Sequence, residues 1–197
     1  MKLTELLLFG VVGWSGIGLV GVFISSRQGE RQRVRRGIRW LAGVWALYFC
    51  VLLGVSLGQK QRVVAIGEPQ CFGKMCFTVA RVEEVPGFLI HDGQRLLRVT
   101  VQVANRGKSA EGDELIQAYL IDAEGRRWDE SAGVGGVRLN ARVSVGETVL
   151  SEPMFKVAGD ATGLRLVFTH GWKQPGVLVI GDSDSLLHRR TVVDLGR

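Results

Sequence analysis

The stretch Ser25-Ser26-Arg27-Gln28-Gly29-Glu30-Arg31-Gln32-Arg33-Val34-Arg35-Arg36-Gly37-Ile38-Arg39 decides how this chain is read. It carries six arginines and a single acid, Glu30. An uncharged apolar run lies on each side of it, residues 6–24 before and residues 41–57 after. Nineteen residues of helix reach about 28 Å, close to the roughly 30 Å hydrocarbon core of a bilayer. The second run is shorter; Ile38 and Trp40 extend it, with Arg39 snorkelling to the headgroups. Lipid cannot satisfy backbone polar groups, so both runs are expected to be helical. The pattern predicts a transmembrane hairpin over residues 1–59, with spans at about 5–25 and 38–58 and an arginine-rich loop at 26–37.

Arginine also sets the expected orientation. Positive residues in short loops stay on the cytoplasmic side. Arg27, Arg31, Arg33, Arg35, Arg36 and Arg39 lie between the runs, whereas only Lys2, Lys60 and Arg62 flank the other ends. The loop is therefore expected in the cytoplasm. Both termini, and everything after Gln59, are expected on the periplasmic or extracellular face of the cytoplasmic membrane. The plain role of the arginines is to set topology and touch anionic lipid, each adding about 1 kcal/mol of attraction near the surface. The sharper role is docking of a cytoplasmic partner. A cleaved signal peptide fits less well, because the basic n-region is Lys2 alone and no A-x-A-like site follows. Arg35-Arg36 as a twin-arginine signal is discounted because a complete span precedes it. Nineteen uncharged residues in a row also disfavour a soluble helical hairpin.

The second run has small residues every four positions: Ala42, Ala46, Cys50, Gly54 and Gly58. Small residues let helices approach closely in lipid, so this stripe is expected to form a seam, either with the first span, most simply, or with another subunit.

The net charge of +6 is unevenly placed. Seven basic residues precede Gln59 against two acids, a balance of +5, which leaves the remainder near +1. A nucleic-acid groove needs clustered Lys and Arg on the domain, so no nucleic-acid partner is expected.

After Gln59 the period changes to two. Leu97, Val99, Val101 and Val103 alternate with Arg98, Thr100 and Gln102. Phe77, Val79 and Arg81 alternate with Thr78, Ala80 and Val82, and Leu164, Leu166 and Phe168 with Arg165, Val167 and Thr169. This is the mark of half-buried strands. Further strands are expected at 62–66, 115–121, 126–129, 137–143, 149–157 and 177–180. Turn signals separate them, among them Pro86-Gly87, Asp92-Gly93, Glu124-Gly125 and Val145-Gly146. Seven to nine short strands argue an all-β sandwich. Residues 60–67 read as a juxtamembrane segment and first strand, and 68–197 as the sandwich with a C-terminal tail. The tail's Leu186, Leu187, Val192, Val193 and Leu195 argue for docking, as a last strand or on a partner.

The order of several motifs resembles a known family. They are Ala65-Ile66-Gly67-Glu68 with Cys76-Phe77-Thr78-Val79, then the strand Val99 to Val103 ending at Asn105-Arg106-Gly107. The hairpin Asp122-Ala123-Glu124-Gly125-Arg126-Arg127-Trp128 follows, then Val145-Gly146-Glu147-Thr148 with Phe155-Lys156-Val157, and finally Gly163 to Phe168. Across about residues 62–180 the chain resembles the telokin-like, immunoglobulin-like β-sandwich domains of bacterial lipoproteins and membrane-anchored envelope proteins. The resemblance implies an extracytoplasmic location and no established enzymatic activity, and it carries over no catalytic residues.

Cys71 and Cys76 flank four residues of an expected tight hairpin. Thiols outside the cytoplasm tend to be oxidised, so a disulfide is expected. A metal site would need two further ligands, and a redox-active pair would want C-x-x-C spacing. Cys50 reads as a small packing residue. The three histidines, His91, His170 and His188, are far apart in sequence, and a metal-dependent enzyme built on them is the weakest reading. Asp182-x-Asp184 lacks the remaining calcium-loop ligands, and no G-x-S-x-G elbow or phosphate-binding glycine loop occurs. Trp128 and Trp172 either pack on the core or anchor a partner, since tryptophan is enriched at interface hot spots. The expected function is non-catalytic binding of a protein or envelope component, without a cofactor and with membrane lipid as a further partner. The alternative is a signal-input module that acts through the hairpin on a cytoplasmic partner.

Overall fold

A computed structural model of the chain describes residues 3–86, 93–171 and 174–196. They divide into two compact units: residues 3–60 with 174–189, and residues 61–171 with 190–196. The expected tail is thus shared, its first part belonging with the helices rather than with the sandwich.

In the first unit, α1 (Leu3–Arg27) and α2 (Arg31–Gly58) form a helical hairpin. α1 stops at Gly29, whose φ of +75° lies in the left-handed region that glycine enters at least cost. The Glu30 N–H donates to the Ser25 carbonyl (3.0 Å) and the Gly29 N–H to that of Ser26 (3.1 Å). These are the two bonds of a Schellman stop. The arginine-rich loop expected at 26–37 is therefore corrected. Only Gln28, Gly29 and Glu30 lie outside helix, and Arg31, Arg33, Arg35, Arg36 and Arg39 occupy the first turns of α2. Arginine and glutamine are good helix formers, and no proline interrupts them.

The helix–helix seam also differs from expectation. Ala42, Ala46, Cys50 and Gly54 are exposed, as is Gly58. Tyr48, Leu52 and Ser56 are buried instead, with Gly37, Leu41 and Trp45 half-buried at compatible intervals. The small residues that permit close approach come from both helices: a Cβ on Gly37 of α2 would lie 2.7 Å from Val22 Cγ2. A Cβ on Gly18 would lie 2.9 Å from Leu41 Cδ2. Trp45 Nε1 donates to Ser15 Oγ (3.0 Å), and Ser15 Oγ donates to the Val11 carbonyl (2.7 Å). Each helix sets a small residue against a bulky one of its partner, Gly18 against Leu41 and Gly37 against Val22, and the alanine stripe is turned away.

Against the two helices packs a loop, residues 174–186. Its Val179 forms an apolar cluster with Leu8 and Tyr48, joined by Val11, Trp45 and Ile180. The strand expected at 177–180 is corrected: a 3₁₀ turn, Pro175–Leu178, begins there. Proline suits the first position of such a turn and cannot donate to a strand ladder.

Among its described residues the second unit forms a nine-stranded sheet: β1 (Val63–Val64), β2 (Pro69–Phe72), β3 (Met75–Glu84), β4 (Gln94–Asn105), β5 (Gln117–Ile121), β6 (Arg127–Gly136), β7 (Thr148–Ala158), β8 (Arg165–Thr169) and β9 (Val192–Asp194). Their spatial order is β1-β9-β8-β5-β6-β7-β4-β3-β2. The β1–β9 pair is parallel and the others antiparallel. β6 is shared between two layers. Its residues 127–129 pair with β5, and residues 130–136 pair with β7 across an irregularity between Ser131 and Val134. Strands that change sheet at a bulge make the corners of sandwiches. Phe77, Val99, Val101 and Phe155 of one layer share a single core with Ala118, Leu120, Leu166 and Phe168 of the other. The fold is therefore a β-sandwich closed by one strand.

Two details depart from strict alternation. In β3 a bulge follows Val79, which pairs with Val101, while Arg81 pairs with the adjacent Thr100. The extra residue, Ala80, shifts the phase, so Val82 is buried and Arg81 exposed. The strand expected at 137–143 is absent. There Leu139 and Val143 anchor a turn segment in the core, and Val143 forms one isolated bridge to Glu111.

Candidate functional site

In the sandwich unit, a cleft of about 580 Å³ opens where β5 meets β6 and the segment after it. Ile116, Ala118 and Leu139 form an apolar floor, and Arg127, Asp129, Glu130 and Arg138 stand around it. Arg127 Nε donates to Asp129 Oδ1 at 2.7 Å, and its guanidinium lies 4.0 Å from the centre of the Tyr119 ring. Partial burial pushes the Glu130 carboxyl above its usual range, with the charge of Arg138 opposing. The cleft offers donors and acceptors of both signs beside apolar surface. That suits the capture of a polar or mixed-charge segment. The sequence signal for it was weak, because its residues come from strand ends and a turn region read as strand.

Trp128 pairs with Leu120 across β5–β6 and packs, half-buried, against the main core. The Arg126 guanidinium lies 5.5 Å from its ring centre. Arg126 also bonds Asp122 (2.7 Å) and Asp160 (3.0 Å). Burial pushes the Asp122 carboxyl up, yet the Arg126 side chain and backbone N–H outweigh it and hold the group below its usual range. Trp172 lies outside the described residues.

Cys71 and Cys76 form the expected disulfide, directly opposite each other in the β2–β3 register with Cα atoms 4.0 Å apart. Next to it, the Phe72 ring packs edge-on against His170 at 4.9 Å. The His170 Nε2 lies 2.6 Å from Asp113 Oδ2. His188 belongs to the helical unit and His91 lies outside the described residues, so no shared histidine site is described. Among the described residues no group of three or more His, Cys, Asp or Glu is placed to hold a metal.

In the helical unit, the arginines gather at the closed end of the hairpin. Arg31, Arg33, Arg35, Arg36 and Arg39 are all exposed. Arg33 Nη1 pairs with Glu30 Oε2 at 2.7 Å, and Arg27 stacks 5.0 Å from the Phe23 ring centre. No acid lies in the first turn of α2. Cations at a helix N-terminus oppose the helix dipole, so this end gains from an external anion. Away from it the helices expose Leu6, Phe9, Trp14, Ile17 and Leu47.

No protein-family model matches the chain, and no curated protein matches it. Among solved structures it is similar to an uncharacterised β-sandwich protein from Clostridium difficile, with 13% identity, a TM-score of 0.44, and coverage of 70% of this chain and 95% of that one. A conserved hypothetical protein from Bacillus anthracis shares 14% identity over 56% of this chain and 93% of its own, with a TM-score of 0.43. A secreted protein from Mycobacterium tuberculosis shares 15% identity over 58% and 93%, also with a TM-score of 0.43. Likeness this distant assigns no activity to the chain.

Proposed function

We propose that this chain is a two-span protein of the cytoplasmic membrane whose telokin-like, immunoglobulin-like sandwich lies outside and binds a protein or envelope component without catalysis. The hairpin carries this reading. Its two helices are 25 and 28 residues long, expose large apolar side chains over most of their surface, and close on a cluster of arginines. Such a surface is costly in water and favoured in lipid. The arginine end matches an anionic cytoplasmic leaflet. The Cys71–Cys76 bridge fits an oxidising compartment. The cleft beside Glu130 and Arg138 is the surface we assign to the partner.

Protease added to intact spheroplasts is expected to digest the sandwich and leave the hairpin. A sandwich that stays protected until lysis overturns the placement. Cross-linking in cells from position 140 is expected to capture an envelope component, and capture that is unchanged when Arg138 is replaced by Glu argues against the cleft.

One observation favours a second reading, a signal-input module. The arginines continue α2 as helix without a break, so a shift of the span moves them directly. Cross-linking from Arg35 that recovers no cytoplasmic protein counts against it.

A further inference from the structure

Resting on the reading of α1 and α2 as membrane spans, we infer that residues 174–186 form a loop that dips into the bilayer, its apolar tip in the hydrocarbon at the Leu3 and Gly58 ends of the helices. The loop has a polar neck and an apolar tip. At the neck, Gln174 Nε2 donates to Asp184 Oδ2 (3.0 Å), and the Asp184 N–H donates to Asp182 Oδ1 (3.1 Å). The hydroxyls of Ser185 and Ser56 share a hydrogen bond of 2.8 Å. Ser56 is two residues, about 3 Å along the axis, from the end of α2. The neck therefore sits at the level of the helix ends.

The tip lies deeper. The Tyr48 hydroxyl donates to the Leu178 carbonyl at 2.6 Å. Tyr48 is ten residues, about 15 Å of helix, inside Gly58. Val179 belongs to one buried cluster with Tyr48 and Leu8, and Leu8 is three residues, about 4.5 Å, inside Glu5. These two limits place the tip in one half of a hydrocarbon core about 30 Å thick. Residues 40–59 carry no charge, so no polar girdle on α2 separates Tyr48 from lipid.

The residues themselves suit that depth. Val177, Leu178, Val179 and Ile180 are consecutive and apolar, and the Leu178 side chain is exposed. Irregular backbone is tolerated in a membrane only where its polar groups are satisfied. Here the Val177 N–H donates to the Gln174 carbonyl, that of Val179 to Gly176, and that of Leu186 to Val177. The Leu178 carbonyl is satisfied by Tyr48. The occupant of the exposed tip surface is lipid, because the same helices expose Leu47 and Val51 on either side of Tyr48 in sequence.

Nitroxide labels test this in the full chain carrying Cys50→Ser, reconstituted in phosphatidylcholine–phosphatidylglycerol liposomes. Labels at Leu178→Cys, Leu47→Cys and Leu150→Cys report the loop tip, the α2 surface and the sandwich. Collisions with oxygen, which concentrates in hydrocarbon, are compared with collisions with a water-soluble nickel chelate. The label at 178 is expected to favour oxygen as strongly as that at 47, with the reverse at 150. A label at 178 that favours nickel, or collides with neither reagent, while 47 favours oxygen, overturns the dipping loop and leaves the spans standing. A label at 47 that favours nickel overturns the spans themselves, and the loop inference with them. Val177→Cys serves as a second reporter with the same outcomes if the Leu178 variant does not incorporate.

Discussion

The side-chain amide of Asn105 donates to the Val143 carbonyl at 2.8 Å, joining two segments 38 residues apart at a site almost closed to solvent. The same nitrogen donates to the Ser109 carbonyl (2.8 Å), and Asn105 Oδ1 accepts from the Gly107 N–H (2.7 Å). One side chain thus serves three backbone groups of the 105–109 turn and the Val143 segment.

Replacing Asn105 by Ala leaves the part-buried Ser109 carbonyl and Gly107 N–H without their side-chain partner, while the Val143 carbonyl keeps the Glu111 N–H (3.1 Å). Each orphaned group costs about 1–3 kcal/mol, and water admitted to the gap recovers part of the loss. Asn105→Ala is expected to destabilise the sandwich by about 1–3 kcal/mol in urea unfolding. A loss under about 1 kcal/mol contradicts the assigned role.

The Cys71–Cys76 bridge closes a very short loop. The chain-entropy model gives such a loop about 2 kcal/mol. A Cys71→Ser, Cys76→Ser double variant is expected to unfold at lower denaturant with an unchanged m-value. Reductant added to the native chain should reproduce the shift, and no shift in either experiment means that the bridge does not stabilise the fold.

Asp122 makes acid stability testable. Its carboxyl is held below the usual value by Arg126, against the opposing push of burial. A folded-state pKa below the unfolded one, about 3.9, contributes stability above that pH and loses it as pH falls through the lower, folded value. Glu111, lowered first by its hydrogen bond from Lys74 and then by Ser109, acts in the same direction. The sandwich is expected to lose stability from about pH 4 downwards, less steeply in Asp122→Asn than in the native chain. Equal slopes remove Asp122 as a source of the effect.

Glu130 acts with the opposite sign, because its carboxyl is pushed up by burial. A raised pKa means the ionised form is disfavoured in the fold, a penalty present at neutral pH and relieved as pH falls through the folded pKa. Glu130→Gln is expected to raise the thermal midpoint at pH 7 and to lose that advantage at pH 3. A midpoint that falls at pH 7 contradicts the sign.

The helical seam separates two faces of α2. A side chain on Gly18 meets Leu41, whereas nothing lies within 4 Å of a Cβ on Gly54. In detergent, Gly18→Ile is expected to lower the thermal midpoint of the hairpin, and Ala46→Ile to leave it unchanged. If Ala46→Ile is the more damaging, the alanine stripe carries a contact outside a single chain.

The two helices and the longest strands were written plainly in the order of residue types, whereas the strands expected at 137–143 and 177–180 were not formed. Two uncharged runs can only form long apolar helices, and Leu97, Val99, Val101 and Val103 can only put one face of a strand inward. The pairing of Cys71 with Cys76 was legible because the two are close in sequence. What depended on distant partners was not. Arg81 and Val82 read as out of phase until the bulge at Ala80 restored burial to Val82. The stripe Ala42, Ala46, Cys50 and Gly54 was chosen on helix periodicity, but a seam is decided by the face the partner offers. The seam formed where Gly18 faces Leu41 and Gly37 faces Val22, on another side of α2. The arginines looked like a loop because charge separates apolar runs, yet backbone geometry at Gly29 made a three-residue turn and left them on helix. Local periodicity sets element type because each residue's own backbone and side chain decide it. Phase, seam, the β5–β6 cleft and the seating of residues 174–186 on the helices are set by contacts between residues far apart in the chain, and only the folded structure supplies those.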